Sequence, residues 1–133
     1  MKKSKAILFV HRTAPHGTIH ALESLDMVLI SSAFDQVVSM AFVDDGVYQL
    51  KNKQNTSEIA MKDFSVTFGA LADYGVTKLY IDKDSLEERG LCLTDLLNLT
   101  HEEQENEEIS SLQLVTRSEL AHIMEQQDVL FSA

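Results

Sequence analysis

Three short apolar runs, at residues 6–10, 37–43 and 76–81, constrain the fold of this chain more than any other feature. Each run is rich in β-branched residues, and a segment long enough to hold a helix separates it from the next. This spacing is typical of βαβ units, in which each crossover packs its helix against a parallel sheet. The pattern therefore predicts an α/β fold.

Two further patterns extend the predicted sheet toward the C-terminus. Residues 112–115 and 128–131 have the composition of short strands, and Thr116 with Glu119 has the spacing of a capping box for a helix between them. Together with the first three runs, these segments give five strands. We predict a three-layer α/β/α architecture with a mainly parallel five-stranded sheet, whose strand order the patterns leave open.

Helices are predicted between the strands. Thr18 is placed to cap the first of them, and two apolar stripes recur at helical spacing and are interpreted as core. Ser85 and Glu88 also have the spacing of a capping box, so we predict a single helical turn that ends at Gly90. Another short helix is predicted to begin at Asp95. The two stripes consist of Leu22, Leu25 and Leu29, and of Met61, Phe64, Phe68 and Leu71.

The 133 residues, of which 44% are hydrophobic, suit a single domain over residues 1–133. No apolar run approaches the roughly 18 residues that a membrane span needs, and the N-terminus lacks a signal-peptide pattern. The single cysteine, Cys92, cannot form an internal disulfide, and no neighbouring His, Lys or Cys marks it as a nucleophile. We therefore expect a cytoplasmic protein that does not associate with membranes.

The net charge is −10, with 21 acidic against 11 basic residues. Such a field repels phosphate backbones, so we expect no direct binding of nucleic acid. Much of the excess lies in residues 102–108, which we interpret as a solvated loop. The alternative is that this acidic run is a docking surface for a basic partner.

Ligands and partners approach an open parallel sheet at the carboxyl ends of its strands, so the segments that follow the strands are the functional candidates. The first of these segments contains Gly17 alone and not the glycine-rich loop of a nucleotide site, so we expect no nucleotide cofactor. The three segments are residues 13–18 (Thr-Ala-Pro-His-Gly-Thr), 44–50 (Asp-Asp-Gly-Val-Tyr-Gln-Leu) and 82–91.

Two further kinds of site are considered at these segments. His11, His16 and His20 suggest a metal site, but the neighbouring carboxylates do not complete one, and we expect no bound metal. Asp44 and Asp45 have the chemistry of a general base, yet an Asp-Gly pair after a strand is first of all a turn. The sequence therefore shows no complete reaction centre.

The order and spacing of five segments carry a family resemblance. These segments are residues 13–18, residues 45–50, Thr67-Phe68 with Leu71 and Tyr74, residues 85–91, and residues 128–131. With them the chain resembles the TusC/DsrF branch of the DsrE/F/H family, the small α/β subunits of sulfur-relay complexes. The resemblance extends over essentially the full length of the chain.

The resemblance implies a single DsrE/F/H-like domain and a place in a TusBCD-type complex. This is a heterohexamer, a dimer of three-chain units, so the implied partners are TusB-like and TusD-like subunits. Such a complex passes persulfide sulfur through a downstream acceptor protein toward 2-thiouridine at the tRNA wobble position. Under the same resemblance, the alternative is a DsrF-like subunit of a dissimilatory sulfur-oxidation complex. Apart from the resemblance, the remaining alternative is a small hydrolase that uses His16 with Asp45.

The resemblance also implies roles for single residues. In this family the carrier cysteine belongs to the TusD/DsrE-type subunit and ends the third strand, eight residues before the glycine of an Arg-Gly pair. Eight residues before Gly90 this chain has Asp82. A carboxylate cannot take up sulfane sulfur, because the transfer requires a thiolate, so we expect a non-catalytic subunit. The interface candidates are His16, Tyr48, Gln49 and Asp82.

Overall fold

The computed structural model describes residues 5–12, 27–28, 30, 36–50, 71–96, 99–102 and 107–132. These residues form a five-stranded sheet and a separate two-stranded hairpin. In chain order the strands are β1 (Ala6–His11), β2 (Val37–Phe42), β3 (Leu79–Asp82), β4 (Thr100–Glu102), β5 (Glu108–Ser110), β6 (Leu112–Val115) and β7 (Val129–Ser132).

The five-stranded sheet has the order β6-β3-β2-β1-β7, and every neighbouring pair is parallel. This confirms the predicted α/β class with five strands near the expected positions, although β3 begins at Leu79 instead of residue 76. The chain adds β2, β3 and β6 on one side of β1 and then returns to the other side for β7. The sequence patterns left the strand order open. The structure shows that the chain reverses its direction across the sheet once, between β6 and β7.

Because the chain reverses direction after β6, both faces of the sheet are covered, and each face has its own core cluster. Right-handed crossovers that move in opposite directions place their helices on opposite faces. Along β1, Ile7 and Phe9 join one core cluster, whereas Leu8 and Val10 join the other. The second cluster includes Leu120 from the helix between β6 and β7, so this helix covers its own face.

Two α-helices are described over their full length, and both follow strands of the sheet: α1 (Lys83–Glu88) after β3, and α2 (Arg117–Glu125) after β6. The capping box predicted for α2 is confirmed, since the Thr116 side chain accepts a hydrogen bond from the Glu119 N–H at 3.2 Å. The capping box predicted at Ser85 is wrong. Helix α1 begins earlier, with Asp82 at its N-cap position, and Ser85 is buried within the helix.

Three 3₁₀ helices complete the described elements, at Asp44–Leu50, Leu71–Tyr74 and Leu93–Asp95. The last of them corrects the helix that we predicted from Asp95 onward. The Leu96 N–H donates to the Leu93 carbonyl, and the backbone of Leu96 is then extended, so the helix ends where the prediction began it. The end of α1 at Gly90 is as predicted, because Gly90 has a φ of +67° and allows the chain to turn.

Glu102 and Glu108, the first and last residues of the acidic run, lie in the two strands of a hairpin that the sequence analysis did not predict. Strands β4 and β5 pair antiparallel, with Glu102 opposite Glu108 at the end nearest the connection. Glu108, Ile109 and Ser110 are all exposed, in keeping with a solvated surface. Within the described ranges, no helix is long and apolar enough to cross a membrane.

Several predictions lie outside the described residues. They are the cap at Thr18, the stripe at Leu22, Leu25 and Leu29, and the residues Met61, Phe64 and Phe68 of the second stripe. The last residue of that stripe, Leu71, is described and is buried in the larger core cluster as predicted. Residues 27–28 and 30 are helical, and Val28 is buried in the same cluster.

Candidate functional site

A solvent-open cleft of about 280 Å³ lies where the carboxyl ends of β1, β2 and β3 meet helix α2. This is the edge at which open α/β sheets bind ligands and partners. In the described part of the chain, the lining is a mixture of aliphatic side chains, two carboxylates and two guanidinium groups. These lining residues are Val10, Arg12, Val43, Asp44, Asp82, Arg117, Leu120, Ala121 and Met124.

Asp82 is the most buried charged residue that lines the cleft. It is the last residue of β3, and only 2% of it is exposed. Its Oδ2 accepts a hydrogen bond from the Ser85 hydroxyl at 2.6 Å and one from Arg117 Nε at 3.2 Å. Its Oδ1 is buried and has no hydrogen-bond partner among the residues that the structure describes. One side of this carboxylate is therefore fixed by bonds, and the other is unsatisfied.

Ser85 connects the end of β3 to the end of β2. Its Oγ accepts a hydrogen bond from the Asp44 N–H at 2.8 Å and donates its own proton to Asp82. Asp44 has a φ of +49°, so the chain turns sharply as it leaves β2, and the residue with the left-handed backbone is Asp44 and not Gly46 of the Asp-Gly pair. Asp82 occupies the N-cap position of α1, but its side chain bonds this hydroxyl and not the helix backbone.

Arg117 brings the end of β6 into the same network. Its guanidinium lies 3.2 Å from Asp82, 3.4 Å from Glu88 and 3.6 Å from Asp84. The hydrogen bond to Asp82, together with the charges of the three carboxylates, raises the pKa of Arg117 above its ordinary value. The side chain is half exposed, so these pairs orient it more than they stabilise the fold.

Arg89, the residue after α1, makes a second set of ion pairs beside the cleft. Its Nε donates to Asp45 Oδ1 at 3.0 Å, and one of its terminal nitrogens donates to the Ser85 carbonyl at 3.1 Å. A further contact of 3.7 Å reaches Glu88. Asp45, the base suggested for a hydrolase, is thus paired with a guanidinium, while its suggested partner His16 lies outside the described residues.

His11 lies at the end of β1 on the face of the sheet opposite α2. Its ring is fully buried and stacks on Phe42, with ring centroids 5.2 Å apart. Neither ring nitrogen has a hydrogen-bond partner among the described residues, and burial lowers the pKa of His11 to about 4. The imidazole is therefore neutral at pH 7. Of the other histidines in the metal hypothesis, His16 and His20 fall outside the described ranges.

The other candidates are distributed around the same edge of the sheet. Tyr48 is partly buried in the 3₁₀ helix that follows β2. Gln49 belongs to this helix, but its side chain is outside the described part of the structure. No cluster of three or more His, Cys, Asp or Glu residues that could hold a metal ion is found in the described ranges.

Cys92 is exposed and lies ten residues beyond Asp82. It follows the turn at Gly90, and its N–H donates to Asp95 Oδ2 at 2.8 Å to start the last 3₁₀ helix. The thiol is therefore on a different segment from the strand end that carries Asp82.

The sequence analysis missed the two arginines of the cleft. Arg12 directly follows β1, and Arg117 follows β6 after a single residue, Thr116. The rule that selected the other candidates, position just after a strand, applies equally to both. What it could not show is that Arg117 contacts Asp82, which lies 35 residues away in the chain.

Comparison with known proteins identifies a family for this chain. The model of the DsrE/DsrF-like family matches residues 5–132. The intracellular sulfur oxidation protein DsrF of Allochromatium vinosum is 44% identical over 130 residues, 96% of each chain. A TusC homolog of Vibrio vulnificus is 37% identical over 91 residues, 68% of this chain and 77% of that protein. A TusC homolog of Pseudomonas aeruginosa is 40% identical over 89 residues, 67% and 75% of the two chains.

A solved structure supports the fold. The crystal structure of the YchN protein from E. coli has a TM-score of 0.66 to this chain, with 15% sequence identity. The match covers 98% of this chain and all of that one. At this level of identity the similarity concerns the fold alone.

Proposed function

The chain belongs to the DsrE/DsrF-like family, and on that premise we propose that it is a non-catalytic subunit of a multi-chain sulfur-relay complex. The similarity to DsrF and to TusC homologs supports a role in sulfur relay. The work of this subunit is to hold the geometry of a partner chain that carries the reactive thiolate. Its direct contacts are with proteins, and the acidic charge of the chain opposes contact with tRNA.

The observation that carries this proposal is Asp82 at the end of β3. The family resemblance puts the carrier cysteine of the relay at this strand end, and a persulfide forms only on a thiolate sulfur. Here the position holds a buried carboxylate that bonds Ser85 and Arg117. The only cysteine of the chain, Cys92, is exposed beyond the next turn. This arrangement supports a role that needs no thiol of its own.

Two pathways are candidates for the complex. The first is 2-thiolation of the tRNA wobble uridine, which the resemblance to the TusC type implies. The second is sulfur oxidation, and the 44% identity to DsrF over nearly the whole chain favours it as an alternative. Wobble 2-thiouridine in cells that lack this chain separates them. Its loss supports the first pathway, and normal 2-thiouridine with impaired sulfur oxidation supports the second.

We expect Tyr48→Ala to weaken assembly about tenfold, because aromatic anchors dominate the energy of many interfaces. Tyr48 is a suitable anchor, since it lies only partly buried on the 3₁₀ helix at the carboxyl edge of the sheet. The measurement is the dissociation constant of the purified chain for TusB-like and TusD-like partner chains, followed by light scattering of the mixture.

Tyr74→Ala is the matched control, because Tyr74 is exposed and precedes the amino end of β3, at the opposite edge of the sheet. It should bind the partners as the wild-type chain does. Equal weakening by both substitutions would show that Tyr48 is not part of the interface. If the wild-type chain binds neither partner, the proposal of an assembly subunit is wrong.

A further inference from the structure

The outer edge of β7 has no paired strand in the described part of the chain. β7 ends the order β6-β3-β2-β1-β7 and pairs with β1 alone. The Asp128 N–H, just before the strand, donates to the Ala6 carbonyl at 2.8 Å. Backbone groups of successive strand residues point in alternate directions, so Leu130 also bonds β1, whereas Val129 and Phe131 direct their N–H and C=O groups outward. These outward groups are available to a further strand.

β7 is apolar on both of its faces. By register, Leu130 lies beside Leu8 on the face covered by α2, and Phe131 lies beside Phe9 on the other face. The rings of Phe9 and Phe131 stack with centroids 5.1 Å apart. Leu130 is 47% exposed and Phe131 42%, although both β1 residues are buried. Strands that are apolar on both faces are typical of the interior of a parallel sheet, so β7 has the composition of an inner strand at an outer position.

The edge of β7 also lacks the features that protect exposed edges. Natural edge strands commonly carry charged side chains, a proline or a bulge, which oppose pairing with another chain. Val129–Ser132 has no charged residue and no proline, and it pairs with β1 through four successive residues without a bulge. The other edge strand, β6, begins Leu-Gln-Leu with Gln113 exposed, an alternation typical of a strand with one face in solvent. Strand addition is therefore favoured at β7.

The outward groups and the charge of the chain define the occupant. An extended backbone presents N–H and C=O groups at the spacing of those on Val129 and Phe131, as in other cases of strand addition to a sheet edge. Because β7 carries no charge, the side chains beside it should be apolar. A second copy of this chain is disfavoured, because two chains with a net charge of −10 each repel one another. The charge favours a different and less acidic chain.

We propose that the outer edge of β7 receives a β-strand of a partner subunit, which becomes a sixth strand of the sheet. The added strand bonds the outward groups of Val129 and Phe131. Its apolar side chains cover Leu130 on one face and Phe131 on the other. This rests on the proposed function, because it requires a partner chain. It goes further in assigning a contact surface and the way in which the partner binds there.

The first test is hydrogen exchange, read residue by residue by mass spectrometry. The amides of Val129 and Phe131 should exchange at least about tenfold more slowly in the complex with TusB-like and TusD-like chains than in the free chain. Leu114 is the matched control on β6. The Leu79 N–H bonds the carbonyl of Ser111, so by the same alternation the Leu114 N–H points outward, and its exchange should not change. If the Phe131 amide exchanges equally in both states, or slows only as much as that of Leu114, the proposal is wrong.

The second test places a charge on the edge. Leu130→Lys should weaken binding of the partner chains at least about tenfold, because lysine on an edge strand opposes pairing. Leu114→Lys is the matched control, since Leu114 is about equally exposed on the opposite edge strand. It should bind within about twofold of wild type. Circular dichroism verifies that both variants fold, and the exchange experiment on the wild-type chain does not depend on either.

Light scattering of the wild-type chain alone tests the choice of occupant. We expect a monomer. A dimer that Leu130→Lys dissociates would show that a second copy pairs with β7, and it would overturn the assignment to a partner subunit.

The results also separate this proposal from the proposed function. A wild-type chain that binds neither partner overturns both. A wild-type chain that binds its partners, with Leu130→Lys as tight as Leu114→Lys, leaves the assembly role standing and excludes the edge of β7 as the contact.

Discussion

Gly46→Ala is expected to lower the free energy of unfolding by about 3 kcal/mol or more, at or above the upper end of the usual cost of overpacking. A Cβ atom on Gly46 would overlap the carbonyl oxygen of His11 and lie 2.5 Å from its carbonyl carbon. Both groups belong to the backbone, so neither can rotate away. The turn after β2 would have to move from the end of β1, which breaks the Val43 N–H bond to the His11 carbonyl.

Gly90→Ala is the control for Gly46→Ala. Gly90 has a φ of +67°, and nothing lies within 4 Å of a Cβ placed there, so the substitution adds backbone strain without a clash. We expect a loss of only about 1 kcal/mol. Urea unfolding followed by circular dichroism measures both variants. If Gly46→Ala costs no more than Gly90→Ala, the close approach of these two strand ends is wrong.

The second large effect is a loss of stability in acid that arises from His11. Burial lowers the pKa of His11 from 6.5 to about 4, so between these values the unfolded chain binds the proton more readily than the folded chain. The stability that depends on keeping buried His11 neutral is therefore fully present above about pH 6.5, and it is lost as the pH falls to about 4. The full difference is about 3 kcal/mol, of which about 2 kcal/mol is lost by pH 5.

His11→Phe should remove this part of the pH dependence. Phenylalanine keeps the stacking on Phe42 and has no ring nitrogen that lacks a hydrogen bond, so its stability at pH 7 should equal or exceed that of wild type. His11→Leu serves as a second variant if the larger ring strains the site. In the control His122→Gln, at an exposed position, the acid loss should persist. A His11 variant that loses stability between pH 7 and 5 as wild type does would contradict this explanation.

The fold could be predicted from sequence where the signal is local. Runs of β-branched residues gave the strands of the sheet, and the spacing of Thr116 and Glu119 gave the start of α2, because both depend on residues close in the chain. The hairpin of β4 and β5 was missed, since the acidic run that begins in one strand and ends in the other gives no alternating pattern. The start of α1 was misjudged because Ser85 uses its hydroxyl to bond Asp82 and not to cap the helix.

Only part of the candidate site could be predicted from the sequence. The strand-end rule selected Asp44 and Asp82, and the structure brings their segments together through Ser85. The position of Arg117 depends on the strand order, because β6 must lie beside β3 before its following residue can reach Asp82. Contacts of this kind join residues that are distant in the chain, and hydrophobic periodicity carries no information about them.

The most direct test of the central claim is the fate of sulfur on this chain. The purified chain, alone and in complex with its partners, is incubated with a persulfidated cysteine-desulfurase donor and then with an acceptor protein, and each chain is weighed by intact-mass spectrometry. We predict that transferable sulfur appears on a partner chain and that this chain, with Asp82 at the strand end, gains none that can be passed on. A sulfur atom on Cys92 that moves to the acceptor would contradict the account and make this chain a carrier.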